Sequence, residues 1–147
     1  MADTTKIKTI IEPYVRDWLS KRYHGHVFKE RSVQLTGGGS YAFDAVADDG
    51  SIVAAILCNR AATRTERENT GGVRKALPEI GYLKAVPAGV ERLMVFANRD
   101  FCDLIQRRGS RLGTEKIQMI VCTLPPDLEA LLMEVLDQAS HEQSAAE

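Results

Sequence analysis

Asp44 is the residue whose neighbours best equip it for chemistry. It stands in the run Ser40-Tyr-Ala-Phe-Asp44-Ala-Val-Ala47, which reaches an Asp49-Gly50 pair and returns as Ile52-Val-Ala-Ala-Ile-Leu-Cys58. Asp-Gly between two apolar runs is the favoured two-residue hairpin turn, so the segment predicts two antiparallel strands with a carboxylate on the first. Such a carboxylate can ligate a hard cation. Mg²⁺, however, prefers carboxylates together with tightly held waters and is seldom held well by a single acid without substrate phosphates. The returning strand offers neither an oxygen ligand nor a cation. In its absence Asp44 reads as a structural, hydrogen-bonded or solvent-facing carboxylate.

Other combinations of residue types are poorer. Cys58 with His24 or His26 has the chemistry of a thiol and a base, but a thiolate needs its base or a positive charge close by, and no sequence signal brings these together. His24-Gly25-His26 reads as the turn leaving the first helix. Gly37-Gly38-Gly39-Ser40 lacks the downstream Gly-Lys-Ser/Thr of a phosphate loop and precedes a strand, so it reads as a flexible connection. Trp18 and the tyrosines have faces on which bases can stack, yet Trp18 falls on the apolar side of its helix and is expected in the core.

The elements that must position these residues follow from periodicity. Ile7, Ile10, Ile11, Tyr14, Val15, Trp18 and Leu19 recur at spacings of three and four, predicting an amphipathic helix from Thr5 to about Arg22. Pro13 must either kink that helix or mark its first regular turn after Glu12. Val27–Leu35, Tyr41–Ala47 and Ser51–Cys58 read as three strands in meander, and Thr63 to about Val86 as a helix whose start is loosened or broken by Gly71-Gly72 and Pro78. Alternation then sets in: strand Arg92–Ala97, helix Asp100 to about Arg108, strand Lys116–Cys122, and a last helix opened by Pro125-Pro126-Asp127. The late strands are continuous apolar runs, as a helix-covered sheet requires. The order is α-β-β-β-α-β-α-β-α, an α/β chain with a mixed central sheet flanked by helices.

At 147 residues, 44% of them hydrophobic, the chain suits one domain with one core, 1–139, followed by a small polar tail, 140–147, expected to fray. No apolar stretch approaches the roughly 20 residues that span a bilayer, and the N-terminus lacks the apolar core of a signal peptide. A cytoplasmic protein with no membrane association is the expectation. The cysteines, Cys58, Cys102 and Cys122, form no CxxC pair and read as reduced, buried thiols. Net charge is −1, but unevenly spread: seven basic and seven acidic residues up to Asn59, twelve and seven over 60–116, none and six from 117 onward. The basic middle permits contact with phosphate backbones and equally suits a solvated helix face.

That order of elements, with Asp44 in the second strand and a tight hairpin into the third, resembles the restriction-endonuclease-like PD-(D/E)XK superfamily over nearly the whole chain. The further likeness lies in the polar, glycine-containing loop Arg60–Gly72, the basic helix start Val73-Arg74-Lys75-Ala76-Leu77, and the strand-to-helix stretch Glu91–Phe101. The resemblance implies a second-strand aspartate and a third-strand acid that share a divalent metal, with a lysine two residues on that orients or activates water; the general need is a polarised phosphoryl oxygen and charge relief in the transition state. In one register the acid-x-lysine positions are Ala55-Ile56-Leu57, in the other Ile56-Leu57-Cys58, and neither carries the required groups.

Some relatives supply these groups from the neighbouring helix or add a glutamate from the first. The corresponding candidates are Glu66, Glu68 and Lys75, and Glu12, which with Asp44 would bind Mg²⁺ or Mn²⁺ only if activity survives. We expect a non-catalytic member without a cofactor, associating with DNA or RNA through Arg60, Arg64, Arg67, Arg74 and Lys75. The alternatives are a structural or protein-interaction domain, or homodimer, that has kept only the fold, and a metal-dependent nuclease with relocated ligands.

Overall fold

The computed structural model describes residues 4–63 and 65–146, with side chains up to Ala139. A helical turn at Ile7–Ile11 leads into α1 (Glu12–Arg22). β1 (Phe28–Gln34), β2 (Ser40–Ala47) and β3 (Ile52–Leu57) follow, then α2 (Thr70–Lys84), β4 (Glu91–Phe96), α3 (Arg99–Arg108), β5 (Ile117–Val121) and α4 (Pro126–Ala146). The strands form one mixed sheet in the order β1-β2-β3-β4-β5. The first three are antiparallel neighbours, and β3, β4 and β5 run parallel. Among the described residues no helix is long and apolar enough to cross a membrane.

The two faces of β3 and β4 explain their unbroken apolar sequence. Val53, Ala55, Met94 and Phe96 pack with Ile80 and Leu83 of α2 and Phe101 and Ile105 of α3. Ala54, Ile56, Leu93 and Val95 pack with Ile11, Val15 and Leu19 at the other face, where Leu132 of α4 joins them. A strand covered on both sides has no polar position to spare. The three cysteines are buried and unpaired. Trp18, expected in the core, is only half-buried, with the Arg22 guanidinium 5.5 Å above its ring.

Pro13 sits in the first turn of α1. It has no N–H for the Thr9 carbonyl, and its ring would clash with that oxygen in a regular helix. The preceding turn is π-helical, with the Glu12 N–H donating to the Ile7 carbonyl. The widened turn makes room for the ring and leaves the helix unbroken.

Two local expectations are corrected. The β2–β3 connection is four residues long, 48–51, rather than two: Gly50, at φ +75°, donates to the Ala47 carbonyl at 2.9 Å, while the Asp49 carboxylate accepts from the Ser51 N–H at 3.0 Å. The helix expected from Thr63 starts only at Thr70. In the segment before it, Ala62 bridges Glu68 and Glu66 adopts φ +63°, which no helix accommodates. Asn69 then caps α2 by accepting the Gly72 N–H at 2.9 Å. A Cβ at Gly72 would lie 2.7 Å from Asn69 Nδ2, so a larger residue there would displace the capping side chain.

Candidate functional site

Asp44 owes its position to an irregularity in β2. Lys29 pairs with Val46 and Arg31 with Phe43, so Asp44 and Ala45 together face the single residue Glu30. Such a bulge re-aims side chains and ends regular pairing. On the other side, Ala45 pairs with Ala54 and Val46 with Val53, and just beyond them the Ile56 N–H donates to Asp44 Oδ2 at 2.8 Å. The carboxylate thus fastens β3 at the point where the ladder gives out. Burial raises its pKa; the Ile56 bond opposes that rise, Glu30 adds to it, and Lys8 and Arg16 oppose it.

Glu12 approaches the same place from α1. It is 7% exposed and its Oε1 has no hydrogen-bond partner. Arg16 lies one turn on, 3.7 Å from Glu12 Oε1, and its guanidinium donates instead to the Asp44 carbonyl at 2.9 Å. Burial first, then the Asp44 charge, push the Glu12 carboxyl up to about 7, against the pull of Arg16 and Lys8. Lys8 and Arg16 oppose the rise at both acids.

A cleft of about 550 Å³ opens beside Glu12, walled by Lys8, Ile56, Cys58, Lys75 and Leu136. A second, of about 300 Å³, lies at the start of α2, with Arg60, Asn69, Gly71, Gly72 and Asp137 in its wall; Asn59, Lys75 and Leu136 belong to both. The two therefore meet along a common wall. Asn98 holds the β3 exit in place by donating to the Cys58 and Asn59 carbonyls, each at 3.2 Å. Of the two registers considered for β3, Ile56-Leu57-Cys58 brings its outer residues into the cleft with Glu12; Ala55 and Leu57 pack against the α2–α3 face. Cys58 is no nucleophile: burial, with Glu12 and Asp44 adding to it, pushes its thiol up to about 12.

The remaining candidates are dispersed. Lys75 reaches the cleft; Glu66 and Glu68 are exposed in the loop before α2, and the Glu68 carboxylate is held by Arg108. Arg60, Arg67 and Arg74 are exposed, and Arg64 lies outside the described residues. His26, Asp48 and Asp49 bring ligand-type atoms within 4.8 Å of one another on the surface of the hairpin turn. There His26 Nδ1 contacts Asp48 at 3.2 Å and Ser51 occupies Asp49, bonds that fasten the turn.

Comparison with family models, curated proteins and solved structures returns no match to this chain. The site must therefore be read from its own chemistry.

The residues that sequence reasoning passed over are Lys8, Arg16, Asn59 and Asn98. Lys8 and Arg16 carried a signal, since they flank Glu12 at four residues on either side and must share its helix face. Asn59 and Asn98 carried none, because only the parallel pairing of β3 with β4 brings them together.

Proposed function

We propose that this domain binds nucleic acid without hydrolysing it, through the cationic end of the cleft at the start of α2. The observation that carries the reading is the division of that cleft. Arg60 lines the cleft with Gly71 and Gly72 of the first turn of α2, where the helix dipole adds positive potential, and Lys75 follows in the second turn, while Ile56 and Cys58 share their part of the cleft with Glu12. The first half suits a phosphate. Among the described residues lining the second, the one carboxylate offered to a hydrolytic metal is Glu12, which is costly to ionise, and the neighbouring Asp44 has its Oδ2 engaged by the Ile56 N–H.

This is the chemistry expected of a degenerate PD-(D/E)XK-like domain. The supporting features are a bulged second strand bearing the acid, an antiparallel meander leading into a parallel β3–β4 pair, and a first helix bearing Glu12. Missing from the pattern are the acid and lysine of the third strand, whose cleft-facing places are Ile56 and Cys58. Lys75 in the same cleft as Glu12 supports the nuclease with relocated ligands as a second reading.

Labelled single-stranded and duplex DNA and RNA, titrated by anisotropy and run on denaturing gels with Mn²⁺ or with EDTA, separate the readings. Intact oligonucleotide bound equally in EDTA supports non-catalytic association. Cleavage that needs Mn²⁺ and disappears in Asp44→Ala establishes the relocated site, and no binding at low salt refutes both.

A further inference from the structure

We propose that Tyr82 is a stacking platform for an unpaired base, so that the nucleic acid bound along α2 is single-stranded; this rests on the nucleic-acid reading above. Tyr82 and Tyr41 are stacked with ring centroids 3.8 Å apart and planes 6° from parallel. Tyr41 in turn meets the buried Phe43 edge-on at 4.9 Å, and its hydroxyl donates to Glu79 at 2.6 Å. The outer ring is thereby fixed to the core through two others, so little freedom is left to lose when a base stacks on it.

Tyr82 remains 38% exposed, and a Cβ at the adjacent Gly81 would meet nothing within 4 Å. No side chain built from that position walls the ring in. α2 is already anchored by Val73, Ala76, Ile80 and Leu83, so the exposed ring is not needed for its packing. Lys75 lies seven residues before Tyr82, two turns back on the same helix face and about 10 Å away along the axis. The acid between them, Glu79, is drawn aside to the Tyr41 hydroxyl. A strand whose backbone is held at Lys75 and Arg74 thus runs towards an open aromatic face. That pairing of cations with a stacking ring is how single strands are held without base-pair readout. A duplex keeps its bases stacked on one another and offers the ring nothing.

The test compares Tyr82→Leu, which still covers Tyr41 but has no π face, with Tyr82→Phe, which keeps one. Each is titrated with a fluorescein-labelled single-stranded oligonucleotide and with the matching duplex, at one salt concentration. We expect Tyr82→Leu to weaken single-strand binding about tenfold, Tyr82→Phe to restore it, and duplex binding to change less than twofold in both. Equal single-strand affinity for wild type and Tyr82→Leu overturns the platform while leaving the nucleic-acid reading intact. A parallel loss for duplex and single strand overturns it too, as does a change of sedimentation behaviour in Tyr82→Leu without a change in binding, which would assign the ring to a protein contact. If the wild type binds neither oligonucleotide, the nucleic-acid reading itself fails and the platform with it.

Discussion

Glu12 and Asp44 illustrate how two neighbouring carboxylates take different roles from their surroundings. Asp44 has a backbone partner and Glu12 has none. Asp44→Ala leaves the Ile56 N–H without its acceptor, at a cost of about 1–3 kcal/mol, whereas Asp44→Asn keeps an acceptor and loses less; urea denaturation of the two variants checks this, and equal losses would contradict it. For Glu12 the folded-state pKa of about 7 lies above the ordinary 4.5. Its contribution to stability is therefore complete below about 4.5 and is lost as the pH rises through 7. Glu12→Gln should flatten that dependence, so that the wild type, relative to the variant, loses on the order of 2 kcal/mol between pH 4.5 and pH 8. Parallel denaturation midpoints for the two proteins across that range would show that the carboxyl is better solvated than its burial implies. Sequence made Asp44 visible through its flanking strands and Glu12 through its helix, but the bond from the Ile56 N–H to Asp44 depends on a bulge. A one-residue register shift leaves no mark on an alternating apolar pattern.

Among the elements, α2 and the loop before it decide what the cleft presents. Asn69 both accepts the Gly72 N–H and donates to the Arg60 carbonyl at 3.1 Å, so one side chain starts the helix and ties down the basic loop. Asn69→Ala should cost about 1 kcal/mol in thermal or urea unfolding and weaken oligonucleotide binding, because Arg60 loses its tether; unchanged binding would separate the loop from the site. The β strands, α3 and the start of α4 were legible to within a residue or two, since their apolar periods are uninterrupted. The start of α2 was not: apolar spacing after Val73 was extended backwards into a polar stretch whose turn, at Glu66, is set by backbone conformation rather than by residue type. At the other end, Arg92 donates to the Leu83 and Val86 carbonyls at 2.7 and 2.9 Å, closing α2 from a strand nine residues beyond. Nothing local in the sequence announces that bond.

For the whole molecule, the uneven charge noted in the sequence acquires a direction. The basic middle of the chain contributes Arg60 and Lys75 to the cleft walls, while Leu136 and Asp137 of the acid-rich last segment close its far side. Asp137 gives the cleft an acidic flank, so that a phosphate chain is favoured on the α2 side. On the proposed reading this side holds phosphate electrostatically and without metal. The most direct test of that reading is the salt dependence of oligonucleotide binding in EDTA, for the wild type and for the Arg60→Ala/Lys75→Ala double variant. A linear fall of log Kobs with log salt is expected for the wild type, with a slope shallower by about one to two units in the variant. An identical slope in the two proteins, or binding by the wild type that appears only when Mn²⁺ replaces EDTA, would contradict the reading.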